Sequence, residues 1–288
     1  MCRFTLYSGP SLPLSALLFE PDHSLIRQSV HSDERSEPLN GDGFGVGWYA
    51  PEIGAEPGVF RSITPAWNNR NLASLSKVVT SPLVLAHVRA ASVLSGVNEA
   101  NCHPFRFENY LFMHNGDVGN FRAVRRAMIE SVSNAAFDNI YGSTDSEHVF
   151  GIVIDELLRL SAAEPAQRLA DAVEYAIRRT VELVRRHGDG APCYLNFALS
   201  DGEHAVVSRF TSAADEEPES LYLYHGAYPL QAEPGDEARG TARLVSSERL
   251  SDDDGWTAIP ANHLVVLPKD EEPRFVALDG ANSATRAA

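Results

Sequence analysis

Three cysteines are few for a chain of 288 residues, and Cys2, Cys102 and Cys193 form no Cys-x-x-Cys pair. That count argues against a disulfide framework, and a reducing, cytoplasmic location is expected. Basic residues are also scarce: 24 Lys and Arg against 39 Asp and Glu leave a net charge of −15. Neutralising a phosphate backbone needs basic clusters. The densest groupings here, Arg122 with Arg125 and Arg126, and Arg185 with Arg186, read as solvated helix faces, so nucleic acid is not an expected partner. No apolar run approaches the roughly 18 residues that a membrane span needs, and charge and proline arrive at Glu20 and Pro21, too early for a signal peptide. Internal repeats, low-complexity tracts and P-loop patterns are absent as well.

What is present suffices for a sizeable core, since 44% of the residues are hydrophobic. Apolar and β-branched runs predict strands over 4–7, 44–49, 83–88, 110–113, 194–199 and 205–210, then over 221–224, 242–245 and 263–267. Helical spacing falls over 15–19, 72–79, 121–132, 147–160 and 165–186. Strands come first, helices fill the centre and strands return, an order that predicts an α+β sandwich and not an alternating βαβ fold. The acidic stretches 211–220 and 231–240 read as exposed loops. No linker composition divides the chain, so one domain over 2–278 is expected, with a flexible tail over 279–288.

Several short stretches carry polar chemistry. Gly45, Gly47 and their neighbours formally match a dinucleotide fingerprint, but Pro51 follows at once where a helix should start. Asn40-Gly41-Asp42-Gly43 is better read as a tight turn into a glycine-lined strand. In "VLAHVRAAS" a strand ends in His87 and Arg89; the arginine is either a surface ion partner or a fork for a carboxylate. Asn115-Gly116 directly follows an apolar run. It is either a hairpin turn or an oxyanion hole, with the Asn amide and the Gly N–H aimed at one oxygen. Thr144 and Glu147 have capping-box spacing, and Asp145 between them is explained by the helix dipole or by a substrate ammonium. His87, His103, His114 and Cys102 match no metal-ligand spacing, so neither a metal nor another cofactor is expected.

Taken in order, the N-terminal Cys, the Asn-Gly-Asp-Gly turn, His-x-Arg, Asn-Cys-His-Pro, His-Asn-Gly and Thr-Asp-Ser-Glu resemble the class II glutamine amidotransferases. These are N-terminal-nucleophile hydrolases with a four-layer αββα sandwich of two antiparallel sheets. "MCRF", "NGDGFGVGWY", "ITPAWNN" and "STDSEH" look most like the stand-alone branch. That branch holds the amidotransferase subunit of the yeast glutathione-degrading complex and the γ-glutamyl hydrolase of ergothioneine biosynthesis. Arg3 follows Cys2 here, where the larger synthases of the family have glycine.

The resemblance implies hydrolysis of a γ-glutamyl amide, in glutamine or another γ-glutamyl compound, through a thioester on Cys2. Removal of Met1 would free the Cys2 amine, whose ordinary pKa of about 7.7–8.0 suits a general base. By the family's pattern Asn115 and Gly116 hold the oxyanion, Arg89 takes the substrate α-carboxylate and Asp145 its ammonium. Ser92, His103 and Gly43 line the pocket. Only 128 residues follow Leu160, short of an acceptor domain in addition to the late strands. The chain then either hydrolyses the bond outright or passes ammonia to a separate protein. Hydrolysis is favoured because the relatives it resembles are γ-glutamyl hydrolases without an acceptor domain. Ammonia delivery to a separate partner and a non-catalytic regulatory role stay open, as does a peptidase-like partner protein.

Overall fold

The residues behind Cys2 build a strand longer than its apolar pattern marks: β1 runs Arg3–Pro13, and Arg3 through Tyr7 are all buried. The computed structural model describes residues 2–34, 39–91, 96–161, 163–228 and 241–278. After β1 come α1 (Ser15–Leu18), α2 (Leu25–Val30), β2 (Phe44–Trp48), β3 (Gly58–Ser62), α3 (Arg70–Leu75) and β4 (Thr80–Val88). Next are β5 (Phe105–Phe107), β6 (Tyr110–Asp117), α4 (Phe121–Glu130), α5 (Asn134–Phe137), α6 (Asp145–Arg159) and α7 (Pro165–His187). The chain then returns to strands: β7 (Tyr194–Ser200), β8 (Ala205–Arg209), β9 (Tyr222–Ala227), β10 (Thr241–Ser246), β11 (Trp256–Ala258), β12 (His263–Leu267) and β13 (Arg274–Ala277).

These residues fall into two compact units, one combining the residues up to Pro104 with Ser220–Ile259, the other combining Phe105–Glu219 with the residues from Pro260 onward. The first holds a seven-stranded sheet in the order β11-β9-β10-β1-β4-β2-β3, antiparallel throughout. One core of this unit joins Leu14, Leu17, Leu25 and Leu72 from its helical segments to Tyr7, Val46, Val84, Ala86 and Leu244 from the strands.

The second unit holds a six-stranded antiparallel sheet in the order β13-β12-β8-β7-β6-β5. Against it pack α6 and α7, through Val149, Phe150, Val153, Leu169, Val173 and Ile177. Phe150 stacks on Phe112 of β6 with ring centroids 5.0 Å apart, the offset aromatic geometry that adds to area burial. Each unit is thus helices on one antiparallel sheet, which is the α+β class expected.

Proline at the first turn, with the Glu164 carboxylate capping the Ala166 and Gln167 N–H groups, sets the start of α7. Thr144 caps α6 by accepting from the Glu147 N–H at 3.3 Å, while the Glu147 carboxylate reaches back to the N–H groups of Tyr141 and Gly142. The helix expected over 72–79 is instead α3, starting earlier because the Asn69 side chain accepts from the Leu72 N–H at 2.8 Å. β3 is half-buried and β13 exposed along its length, so neither shows the alternation that reveals a strand in sequence. The stretch 231–240, the tail 279–288 and residues 35–38 lie outside the described residues. Among those described, no helix is long and apolar enough to cross a membrane.

Candidate active site

In the first unit, strand register brings three of the expected residues to one end of the sheet. Arg3 of β1 pairs with Val88 of β4, and Phe44 of β2 pairs with the same Val88. The residues one step beyond, Cys2, Arg89 and Gly43, therefore lie side by side at the ends of neighbouring strands. Arg89 is buried, its N–H donates to the Gly43 carbonyl at 2.8 Å, and its own carbonyl accepts from the Asp42 N–H at 3.0 Å. The Asp42 carboxylate in turn accepts from the Ala91 N–H at 2.8 Å, so the 40–43 turn and the Arg89 strand end brace each other. The Arg89 guanidinium points toward the Gly96 carbonyl at 3.4 Å.

Gly43 has φ +120°, and a Cβ there would lie 2.7 Å from Cys102 Sγ and 2.8 Å from the Ser62 carbonyl oxygen. Only glycine fits that turn. His103 stacks on His87 at 4.2 Å, beside the same strands, and its carbonyl oxygen would lie 2.1 Å from a Cβ at Gly45. Ser92 lies outside the described residues.

The three cysteines separate by environment. Cys102 and Cys193 are fully buried, whereas Cys2 is half-buried and its thiol faces the Ala90 carbonyl at 3.7 Å. Burial raises the Cys102 thiol above its ordinary value and pushes Cys193 up to about 11, which keeps both protonated and unreactive.

In the second unit, the stretch offered as a hairpin turn is no turn: Asn115 and Gly116 lie inside β6, opposite Asn196 and Leu195 of β7. Asn115 is 1% exposed, and neither its Nδ2 nor its Oδ1 has a hydrogen-bond partner among the described residues. Such an orphan amide costs about 1–3 kcal/mol and is retained only for a reason outside local packing. Gly116 has φ +155°, and a Cβ there would lie 1.8 Å from the Tyr194 carbonyl oxygen, so no side chain fits.

His114 precedes them, buried, with Nε2 against the Tyr194 carbonyl at 3.0 Å and Nδ1 against Ser146 Oγ at 2.9 Å. Burial lowers its pKa. A carbonyl can only accept, so Nε2 carries a proton. The Ser146 hydroxyl lies between His114 Nδ1 and Asp145 Oδ1, 3.2 Å from the latter. Asp145, first residue of α6, accepts from the Ser146 N–H at 2.7 Å with Oδ1 and from the Val118 N–H at 2.9 Å with Oδ2. It therefore ties the start of α6 to the strand end that carries Asn115 and Gly116.

Two features were not legible beforehand. Asp117, directly after Gly116, is exposed at its surface, yet partial desolvation by the surrounding protein and the nearby Asp145 carboxylate raise its carboxyl to about 6. Its adjacency to Asn-Gly was the available signal. Arg3 is 3% exposed and paired at 2.6 Å with Glu248, itself 1% exposed. Nothing local marks Glu248, which is distant in sequence.

A family model of the class II glutamine amidotransferases matches residues 28–282. The chain belongs to this family. It is 37% identical over 295 residues to a "probable glutamine amidotransferase", DUG3 of Saccharomyces cerevisiae, an alignment covering 93% of this chain and 82% of the relative. It is 31% identical over 266 residues to the γ-glutamyl-hercynylcysteine sulfoxide hydrolase of Mycobacterium tuberculosis, covering 92% of each. The solved structure of a glutamine aminotransferase class-II domain protein from Silicibacter pomeroyi matches with a TM-score of 0.68 at 26% identity, over 96% of this chain and 99% of that one. The glutamine phosphoribosylpyrophosphate amidotransferase of B. subtilis shares the fold at a TM-score of 0.58 and 15% identity, with 97% of this chain on 50% of that one.

Proposed function

We propose that this protein hydrolyses the γ-glutamyl amide bond of a small γ-glutamyl compound through a thioester on Cys2. The observation that carries the reading is the strand register that sets Cys2, Gly43 and Arg89 side by side, with Cys2 the one half-buried thiol among three. Removal of Met1 leaves Cys2 with a free amine that takes the thiol proton. The thiolate sulfur attacks the γ-carbonyl carbon, and the resulting oxyanion is held by the Asn115 amide and the Gly116 N–H. The ammonium of Cys2 returns the proton to the departing nitrogen as the C–N bond breaks. Water, deprotonated by the same amine, then adds to the thioester, the C–S bond breaks, and glutamate leaves.

Arg89 takes the α-carboxylate by its fork and Asp145 the α-ammonium, which selects a free glutamyl end over an internal one. Gly43 and His103 line the glutamyl pocket. The two compact units act as one amidotransferase domain over 2–278, a reading supported by a single family match that spans residues of both. Free cysteines and the absence of a membrane-length helix among the described residues support a cytoplasmic enzyme. Hydrolysis is favoured over ammonia delivery because the mycobacterial relative is a γ-glutamyl hydrolase by name.

The test is glutamate release from glutamine, glutathione, a γ-glutamyl anilide and several γ-glutamyl amines, by wild type and by Cys2→Ala. Cys2-dependent turnover of one γ-glutamyl compound well above glutamine supports the reading. A preference for glutamine points to an ammonia-supplying subunit. Arg89→Lys should raise KM at least tenfold by loss of the bidentate fork, and an unchanged KM removes Arg89 from its role.

A further inference from the structure

Cys2 lies one residue outside the strand ladder, since β1 begins at Arg3. Chain ends fray unless something ties them down, and a nucleophile that frays cannot hold an attack geometry. Arg3 supplies the tie. Its Nη1 donates to the Cys2 carbonyl at 2.9 Å, its Nε to Glu248 Oε1 at 2.6 Å and its Nη2 to Ser32 Oγ at 2.6 Å.

The Glu248 carboxylate also accepts from Ser32 Oγ, from His23 Nε2 at 2.8 Å and from the Asp33 N–H at 2.9 Å. Glu248 lies two residues beyond the end of β10, which clasps β1. The Phe4 N–H donates to Ser247 Oγ, the Ser247 N–H donates to the Phe4 carbonyl, and Thr5 Oγ1 meets Ser246 Oγ, all at 2.9–3.0 Å. A sheet in which Phe4 and Leu6 are fully buried has no need of an arginine at its first position. Burying a charge pair is costly, and an apolar pair of like volume is often as stable or more so. What an apolar pair cannot do is donate to the Cys2 carbonyl.

We infer that Arg3, held by Glu248, is a positioning residue for the nucleophile. It fixes the Cys2–Arg3 peptide plane and with it the directions of both the Cys2 thiol and the Cys2 amine. Covalent geometry places the amine nitrogen within roughly 3.6 Å of its own carbonyl oxygen, so one anchored oxygen orients nucleophile and base together. This inference rests on Cys2 being the nucleophile.

The test compares wild type, Cys2→Ala, Arg3→Lys and the double variant Arg3→Met/Glu248→Leu, measuring Tm, kcat and KM on the best γ-glutamyl substrate. The double variant removes both charges, so its Tm should equal or exceed that of wild type. Its kcat should nevertheless fall about 100-fold with KM within about threefold, as for a misplaced attacking group. A merely structural pair would recover activity together with stability, and wild-type kcat in the double variant overturns the inference. Should that variant not fold, Arg3→Lys decides. Lysine keeps the charge but cannot reach three acceptors in one plane, so kcat should drop about tenfold, and wild-type kcat overturns the inference. An active Cys2→Ala would instead show that the nucleophile itself is misassigned.

Discussion

Asn115 joins a stability cost to a catalytic role, and truncating it should separate the two. Its amide is 1% exposed, with Nδ2 and Oδ1 both lacking a hydrogen-bond partner among the described residues. A buried unsatisfied polar group costs about 1–3 kcal/mol, while truncating an ordinary buried side chain destabilises by about 1 kcal/mol. Asn115→Ala should therefore be neutral, or more stable by up to about 2 kcal/mol. For a chain of this size each kcal/mol moves Tm by about 2 °C, so a thermal scan should show no loss and a gain of up to about 4 °C. In the glutamate-release assay at saturating substrate, kcat should fall about 10²–10³-fold, the usual consequence of losing one oxyanion donor. A drop in Tm of more than about 5 °C with kcat preserved would refute the reasoning, because Asn115 would then be a structural residue.

Three further outcomes are expected. Gly116→Ala places a methyl 1.8 Å from the Tyr194 carbonyl oxygen at φ +155° and should cost more than about 3 kcal/mol, read as a fall in Tm of at least about 6 °C. Burial would raise the Glu248 carboxyl, but hydrogen bonds from His23, Ser32, Arg3 and the Asp33 N–H outweigh it and hold the group at about 2 against an ordinary 4.5. That depressed value stabilises the fold fully above about pH 4.5 and less as pH falls toward 2, by on the order of 3 kcal/mol. Glu248→Gln should therefore have a lower Tm than wild type at pH 7, and the gap should close near pH 2–3. Asp117, raised to about 6, has the opposite sign: its ionisation weakens the fold as pH climbs from about 4 through 6. Asp117→Asn should gain about 1 kcal/mol above pH 6, a figure reduced because the side chain is exposed, and nothing below pH 4; urea midpoints at the two pH values check this.

The sequence exposed the parts of this fold that repeat at fixed spacing. The apolar face of α7, including Leu169, Val173 and Ile177, and the solid apolar runs of β4 and β7 are visible because burial dictates residue type there. The edge strands β3 and β13 are not, since half-exposed positions accept almost any residue. At the candidate site, the residues near Cys2 were legible through motifs, yet their convergence depends on both β1 and β2 pairing with Val88, a register no local pattern encodes. Asn115-Gly116 shows the limit of local chemistry. Asn-Gly favours a turn, but pairing with β7 keeps it extended, and the glycine is needed for the approach of Tyr194. The Arg3–Glu248 pair joins residues 245 positions apart, so only the folded chain reveals it.

The central claim is that Cys2 is the mature first residue and carries the glutamyl group. It is tested most directly by acid-quenching the enzyme during turnover of its best γ-glutamyl substrate and measuring the mass of the N-terminal peptide. The account predicts a peptide that begins at Cys2 and bears one glutamyl group, absent from Cys2→Ala and removed by hydroxylamine as a thioester is. Full activity with Met1 retained, or a glutamyl group found on another residue, would contradict it.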